Sequence, residues 1–381
     1  MTSPNLTAAR FAVLALFLLH GILFGTWATQ IPLAQARLGV SLSVFGLALL
    51  CIAGGAVIAM PITGALVNAF GSARLSWIAG LMFSVAVAGP SLAPNLVVFM
   101  LCGALLGAAI GSMDVAMNAH GLLVERGLKR PVMSGFHGAF SIGAAAGTII
   151  GAWLLDEVGP HMQLFISGSI GFAGIALAGY HLLPTHLDRG LSGEHFAWPT
   201  RATIGLGLLC FLALMIEGSV AEWGALMMKE RFAVDAALAA TAFGLYQTGM
   251  AVARFTGDRL RSRFGAVRLV AISAALTAAG TATALLAPHV TWSLAAFALA
   301  GLGLGNIAPV LFAGGGRLEP TAPGRGIAAV TSLGYSGFLA GPPLIGVAAD
   351  LTSLQLALFI TVAAALIIGF YSRMVKAADT Y

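Results

Sequence analysis

The sequence predicts an all-α membrane protein, with twelve transmembrane helices in two pseudo-symmetric six-helix halves. Three observations predict it. Of 381 residues, 59% are hydrophobic and only 9% are charged, against roughly a quarter charged in a soluble domain. Turn and charge signals divide the chain into about twelve apolar segments, each long enough to cross a bilayer. Rare features also recur at a shift of 194 residues.

A chain with a mean hydropathy of +0.95 has too little polar surface for water, so lipid is its solvent. The predicted spans are 10–33, 42–69, 75–93, 95–124, 132–155, 161–184, 202–228, 236–260, 267–287, 291–316, 325–349 and 354–373. The first apolar run has no small-residue cleavage site, so it reads as a retained span. Cys51, Cys102 and Cys210 lie singly in apolar runs and read as packing residues, with no disulfide or metal expected. Glycines at four-residue spacing, such as Gly143, Gly147 and Gly151, read as helix-packing positions.

Charge sets the orientation. Of 19 Lys and Arg, Arg37, Lys229 and Arg231 fall on outer loops, Arg254 lies inside a span, and the rest fall on inner segments. By the positive-inside rule both termini are cytoplasmic, in a bacterial inner membrane. The net charge of +5 is therefore mostly topology, and no nucleic-acid partner is expected.

The polar stretch "THLDRGLSGEHFAWPTR", 185–201, reads as a cytoplasmic linker between an N-terminal half, 1–184, and a C-terminal half, 202–381. The repeat supports that division. At a shift of 194, Gly55 meets Gly249, Gly71 meets Gly265, and Gly107 and Gly111 meet Gly301 and Gly305. Gly121 meets Gly315, and Gly143 and Gly147 meet Gly337 and Gly341. Chance would give roughly three such glycine matches. Arg37 also meets Arg231, Arg74 meets Arg268, and Asp156 meets Asp350.

Two six-helix halves with the loop "GALVNAFGSAR", 64–74, resemble the major facilitator superfamily. Its signature after helix 2 is Gly-x-x-x-Asp-Arg-x-Gly-Arg-Arg. Gly64, Gly71 and Arg74 match, and Asn68 stands where the family has Asp. A similar, lengthened loop, "TGDRLRSRFGAVR", spans 256–268. The segment 105–147 is similar to the fucose-permease-like branch of sugar:proton symporters. It is closer still to poorly characterised bacterial inner-membrane members, which 217–232 and 334–346 resemble too. The resemblance implies alternating access and a cavity lined by helices 1, 4, 7 and 10. It also implies a gating role for the loop residues Asn68, Arg74, Arg130, Asp258 and Arg259.

The intramembrane acids fall on helices 4 and 7, as Asp114, Glu217 and Glu222. An acid inside a membrane span marks a functional position by default. A carboxylate there is ionised when hydrated and neutral when occluded, because desolvation raises its pKa. These three are the expected proton-coupling residues. On helix 4, at about 100° per residue, Asp114, Asn118, Gly121 and Glu125 share one stripe with Gly103, Gly107 and Gly111. That stripe suits a water-filled path, and His120 points elsewhere. Glu125 ends the helix beside Arg126, Lys129 and Arg130, so it reads as a gate or loop anchor. Glu217 and Glu222 lie about 140° apart around a straight helix. Both face one cavity if the helix breaks at Gly218 or Gly224. Otherwise one of them pairs, with Lys229 as a candidate for Glu222.

Helix 1 offers His20, Trp27, Thr29 and Gln30. The expected solute-binding set is Trp27, Gln30, Asn118, His137, Trp223, Tyr246, Gln247 and Asn306. Carboxamides supply paired donors and acceptors, and indole supplies a flat apolar face. The set suits a small polar metabolite such as a sugar or sugar derivative. The rival reading is a proton-driven exporter of amphipathic compounds. Exporters of the superfamily often carry Gly-x-x-x-Gly-Pro in helix 5. Here Gly147 is followed by Thr148, and the Gly-Pro pair is Gly341-Pro342. No nucleotide loop, metal cluster or nucleophile triad is present, so no enzyme activity and no cofactor are expected. The working unit is expected to be a monomer.

Overall fold

A computed structural model describes residues 5–130, 132–187, 197–319 and 321–379. Most of the expected linker, including Arg189, lies outside the described residues. Among the described residues there are helices and turns and no strand. Nine helices among the described residues are long and apolar enough to cross a membrane. One of these, Met133–Gly179, holds two spans, because Gly159 turns the chain at φ 79° and Pro160 restarts it. With Pro323–Leu351 and Leu354–Phe370, the twelve expected spans are present.

They are α1 (Leu6–Leu38), α2 (Leu42–Phe70), α3 (Ser72–Leu92), α4 (Leu96–Leu128), α5 (133–158) and α6 (160–179). The second set is α7 (Ile204–Phe232), α8 (Ala236–Phe264), α9 (Ala266–Leu286), α10 (Val290–Leu318), α11 (Pro323–Leu351) and α12 (Leu354–Phe370). Several helices overrun the apolar segments that announced them, since a helix continues into water until something stops it. Caps do part of that work. The Asn95 side chain accepts from the Val98 amide at 3.0 Å, and Asp235 accepts from Leu238 at 2.7 Å. Gly71 and Gly265, at φ 88° and 78°, turn the chain between α2 and α3 and between α8 and α9. A side chain at either would be strained.

The chain divides into two compact units. The first comprises residues 1–38 and 51–192, the second 39–50 and 193–381. The start of α2 thus clusters with the second unit. Asp350, at the end of α11, accepts from the Leu42 and Ser43 amides at 3.0 Å each. A carboxylate at a helix N-terminus satisfies orphan donors and opposes the helix dipole.

Each unit is held by glycines set against backbone. In the first, a Cβ on Gly55 would overlap the Ala104 carbonyl, and one on Gly107 the Ile52 carbonyl. In the second, Gly249 meets the Ala298 carbonyl and Gly301 that of Tyr246. All four residue pairs are related by the 194-residue shift. Small residues let membrane helices approach until backbones touch.

One charged match carries over in part. Arg37 donates to the carbonyls of Ser91 and Pro90, the latter at 2.8 Å. Arg231 donates to those of Leu285 and Ala287, the latter at 2.7 Å. Each guanidinium donates to carbonyls at the C-terminal end of the third helix of its half. Arg37→Ala and Arg231→Ala should each cost about 1–3 kcal/mol, read as a lowered thermal midpoint in detergent. Lysine should rescue poorly, because an ammonium lacks the planar fork that reaches two carbonyls.

Candidate functional site

α7 runs unbroken through Gly218 and Gly224, so its two acids point to different neighbours. Glu217 pairs with Arg254 of α8 at 3.6 Å, with both side chains nearly buried. The same α8 face carries Asp258 one turn on, exposed at the helix end. Glu222 shows a different environment. Its Oε2 is buried and has no hydrogen-bond partner. The suggested pairing with Lys229 does not form. Seven residues separate them, about 10 Å of helix rise, which is too far for the two side chains to close.

The Glu217–Arg254 pair sets the register of antiparallel α7 and α8. Five residues further along α7, Glu222 lies level with Gly249, and Trp223 lies beside the level of Gln247. This band is polar without being satisfied. Ser219 Oγ, Glu222 Oε2, Trp223 Nε1, Tyr246 Oη and Gln247 Oε1 are all buried without a hydrogen-bond partner. Buried polar atoms are ordinarily paired, so five orphans on two adjacent helices call for an explanation. The Trp223 ring meets the edge of Phe45 at 6.1 Å, and Tyr246 stacks on Phe243 at 6.4 Å. Asn306 sits where α10 breaks between Leu304 and Ile307, against Gly257 of α8.

In the first unit, Asp114 and Asn118 are half-buried and adjacent, as their spacing requires. Asn118 Nδ2 donates to the Asp114 carbonyl at 2.8 Å and to its Oδ1 at 3.0 Å. The glycine stripe beyond them does not line a water path. Gly103, Gly107 and Gly111 are covered by Ile52 and Ala56 of α2. A face with no side chains is what a packing helix needs, and here packing took it. His137 meets the edge of Phe17 at 5.3 Å. Trp27, 3% exposed, tilts against Phe99 at 6.3 Å.

Gln30 is committed elsewhere. Its Nε2 donates to the Gln163 carboxamide and to the Pro160 carbonyl, and Gln163 donates to Thr29 at 2.7 Å. This network ties α1 to the start of α6. Glu125 is a loop anchor, its Oε2 accepting from the Val132 and Met133 amides at 2.7 and 3.0 Å. Asn68, Arg74, Arg130 and Arg259 are exposed at helix ends. His120 bridges Ser72, at 2.8 Å, to the Leu183 amide, at 3.0 Å.

Sequence reasoning missed Ser219, since a lone serine in an apolar helix carries no signal. It also missed Arg254 as the partner of Glu217, which only the register of α7 against α8 reveals.

Twelve spans in two repeated halves, with acids inside the membrane and no soluble domain among the described residues, are the plan of a multi-pass membrane transporter. The family model of the Major Facilitator Superfamily matches residues 12–220 and 206–379. The chain belongs to that family. It is 33% identical over 378 residues to membrane protein MosC of Rhizobium meliloti, covering 97% of this chain and 90% of that one. It is 30% identical over 359 residues to an uncharacterised MFS-type transporter of Yersinia pestis, covering 91% and 92%. Among solved structures, the nucleoside transporter NupG matches with a TM-score of 0.72 over 97% of this chain and 99% of that chain, at 14% identity. A variant of NupG gives 0.76 over 96% and 99%. At that identity the likeness shows the fold.

Proposed function

We propose that the chain is a proton-coupled symporter of a small polar metabolite, such as a sugar or sugar derivative. It acts by alternating access, as a monomer in a bacterial inner membrane with both termini cytoplasmic. The observation that carries this reading is the orphan Glu222 carboxylate within a band of orphan donors and acceptors. An unpaired buried acid is neutral while dry and charged when hydrated, so it takes and releases a proton as access changes. The unmet groups of Ser219, Trp223, Tyr246 and Gln247 await partners that a polar solute supplies.

In this reading Asp114 and Glu222 couple, and Glu217 is the fixed counter-charge of Arg254. Asn118, His137, Asn306 and Trp27 complete the solute set, and Gln30 leaves it. Asn68, Arg74, Arg130, Asp258 and Arg259 act at the helix ends, and Glu125 holds the α4–α5 turn. The nucleoside carried by NupG is also a small polar metabolite, which supports the solute class.

A metabolite-panel thermal shift identifies the solute, and transport in proteoliposomes under a pH gradient tests the coupling. Uptake should follow an acid outside. Uptake that ignores the gradient removes proton coupling. Extrusion driven by the same gradient identifies the exporter instead.

A further inference from the structure

His20 is a polar residue set in an apolar seam. It lies on α1 and is 3% exposed. Around it the backbones of α1 and α5 touch, with Gly21 against the Phe140 carbonyl and Gly143 against that of Leu18. Phe83 of α3 and Phe140 of α5 wall the imidazole, with ring centroids at 5.3 and 5.4 Å and planes at 88° and 76° to it. Its Nδ1 is buried with no hydrogen-bond partner. A leucine would fill such a box without stranding a polar atom, so packing alone does not account for a histidine. A second titratable group close enough to act on its charge is His137 of α5. The neighbouring faces of α3 and α5 present phenylalanine. His137 itself stands against Phe17, about one turn before His20 on α1.

We propose that His20 and His137 together form a proton-binding site in the first unit. This rests on the transport reading above. Two neighbouring imidazoles hold one proton readily and a second poorly, because like charges repel. A hydrated imidazole takes a proton near neutral pH, and a dry box drives it off. The pair takes its proton when water reaches the box between Phe83 and Phe140 and gives it up when the box is dry.

The test uses the proton itself as probe. The full chain, isotope-labelled at histidine, is titrated in lipid nanodiscs from about pH 5 to pH 8 while ring-nitrogen shifts are followed. The expected result is a linked titration seen at both rings, absorbing about one proton in all. His20→Gln and His137→Gln each leave one ring titrating alone, at a higher pH than in the pair, and the double substitution removes the titration. A His20 ring that stays neutral across the range, or one that ignores His137→Gln, overturns the proposal. If His20→Gln fails to fold, His137→Gln still decides, because the His20 signal must then change. No solute is needed, so the two readings fail separately. A normal titration with gradient-insensitive uptake sinks proton-coupled transport, and coupled uptake with silent histidines sinks the pair.

Discussion

Glu222→Gln should abolish accumulation against a gradient while leaving solute exchange across the membrane intact. Glutamine keeps the size and polarity of the side chain and removes only the exchangeable proton. If one proton moves with each solute, a gradient of one pH unit supports about tenfold accumulation, since one unit is 1.36 kcal/mol. The variant should stop at a ratio of about one. Asp114→Asn should behave alike, and the two carboxylates can be tested separately because they lie in different units. Undiminished accumulation in either variant removes that acid from coupling. Glu217→Gln is the informative contrast. Its carboxylate is held by Arg254 at 3.6 Å, so its loss should act on stability before it acts on coupling.

Breaking that pair from the other side should be the most damaging single change in the second unit. Arg254→Leu leaves Glu217 nearly buried with its cation gone, which should cost about 3–5 kcal/mol. The measurement is unfolding in mixed micelles by rising fractions of denaturing detergent. Adding Glu217→Leu should return most of the loss, because a matched apolar pair pays no desolvation. A double variant as unstable as Arg254→Leu would show that Arg254 is held chiefly by other groups.

The frame was legible in the sequence, and the wiring of the site was not. Apolar length gave twelve spans, and matching glycines and arginines gave the repeat, because a membrane imposes both patterns locally. Arg37 and Arg231 could be paired without coordinates and proved to share one contact, to the carbonyls of Ser91 and Leu285, which stand at the same shift. The helical spacing of Asp114 and Asn118 foretold their contact. What depends on register between helices stayed hidden. Whether Glu217 or Glu222 finds a cation turns on how far α8 slides along α7. Gln30 looked like a solute ligand until Gln163 took its carboxamide. The glycines of α4 looked like a channel wall, since spacing does not tell a face left open from one another helix fills.

The glycine seams carry a consequence for how such a protein diversifies. Gly55, Gly107, Gly249 and Gly301 make the same contacts in both halves. The chemistry does not repeat. At the shift of 194, Asp114 faces Ala308, Glu217 faces Leu23, Glu222 faces Ala28, Arg254 faces Met60 and His20 faces Leu214. A repeated scaffold therefore bears acids and bases that are each present in one copy only. Such a lineage can exchange its cargo by rewriting these unmatched positions, while the matched ones keep two ancestral modules standing.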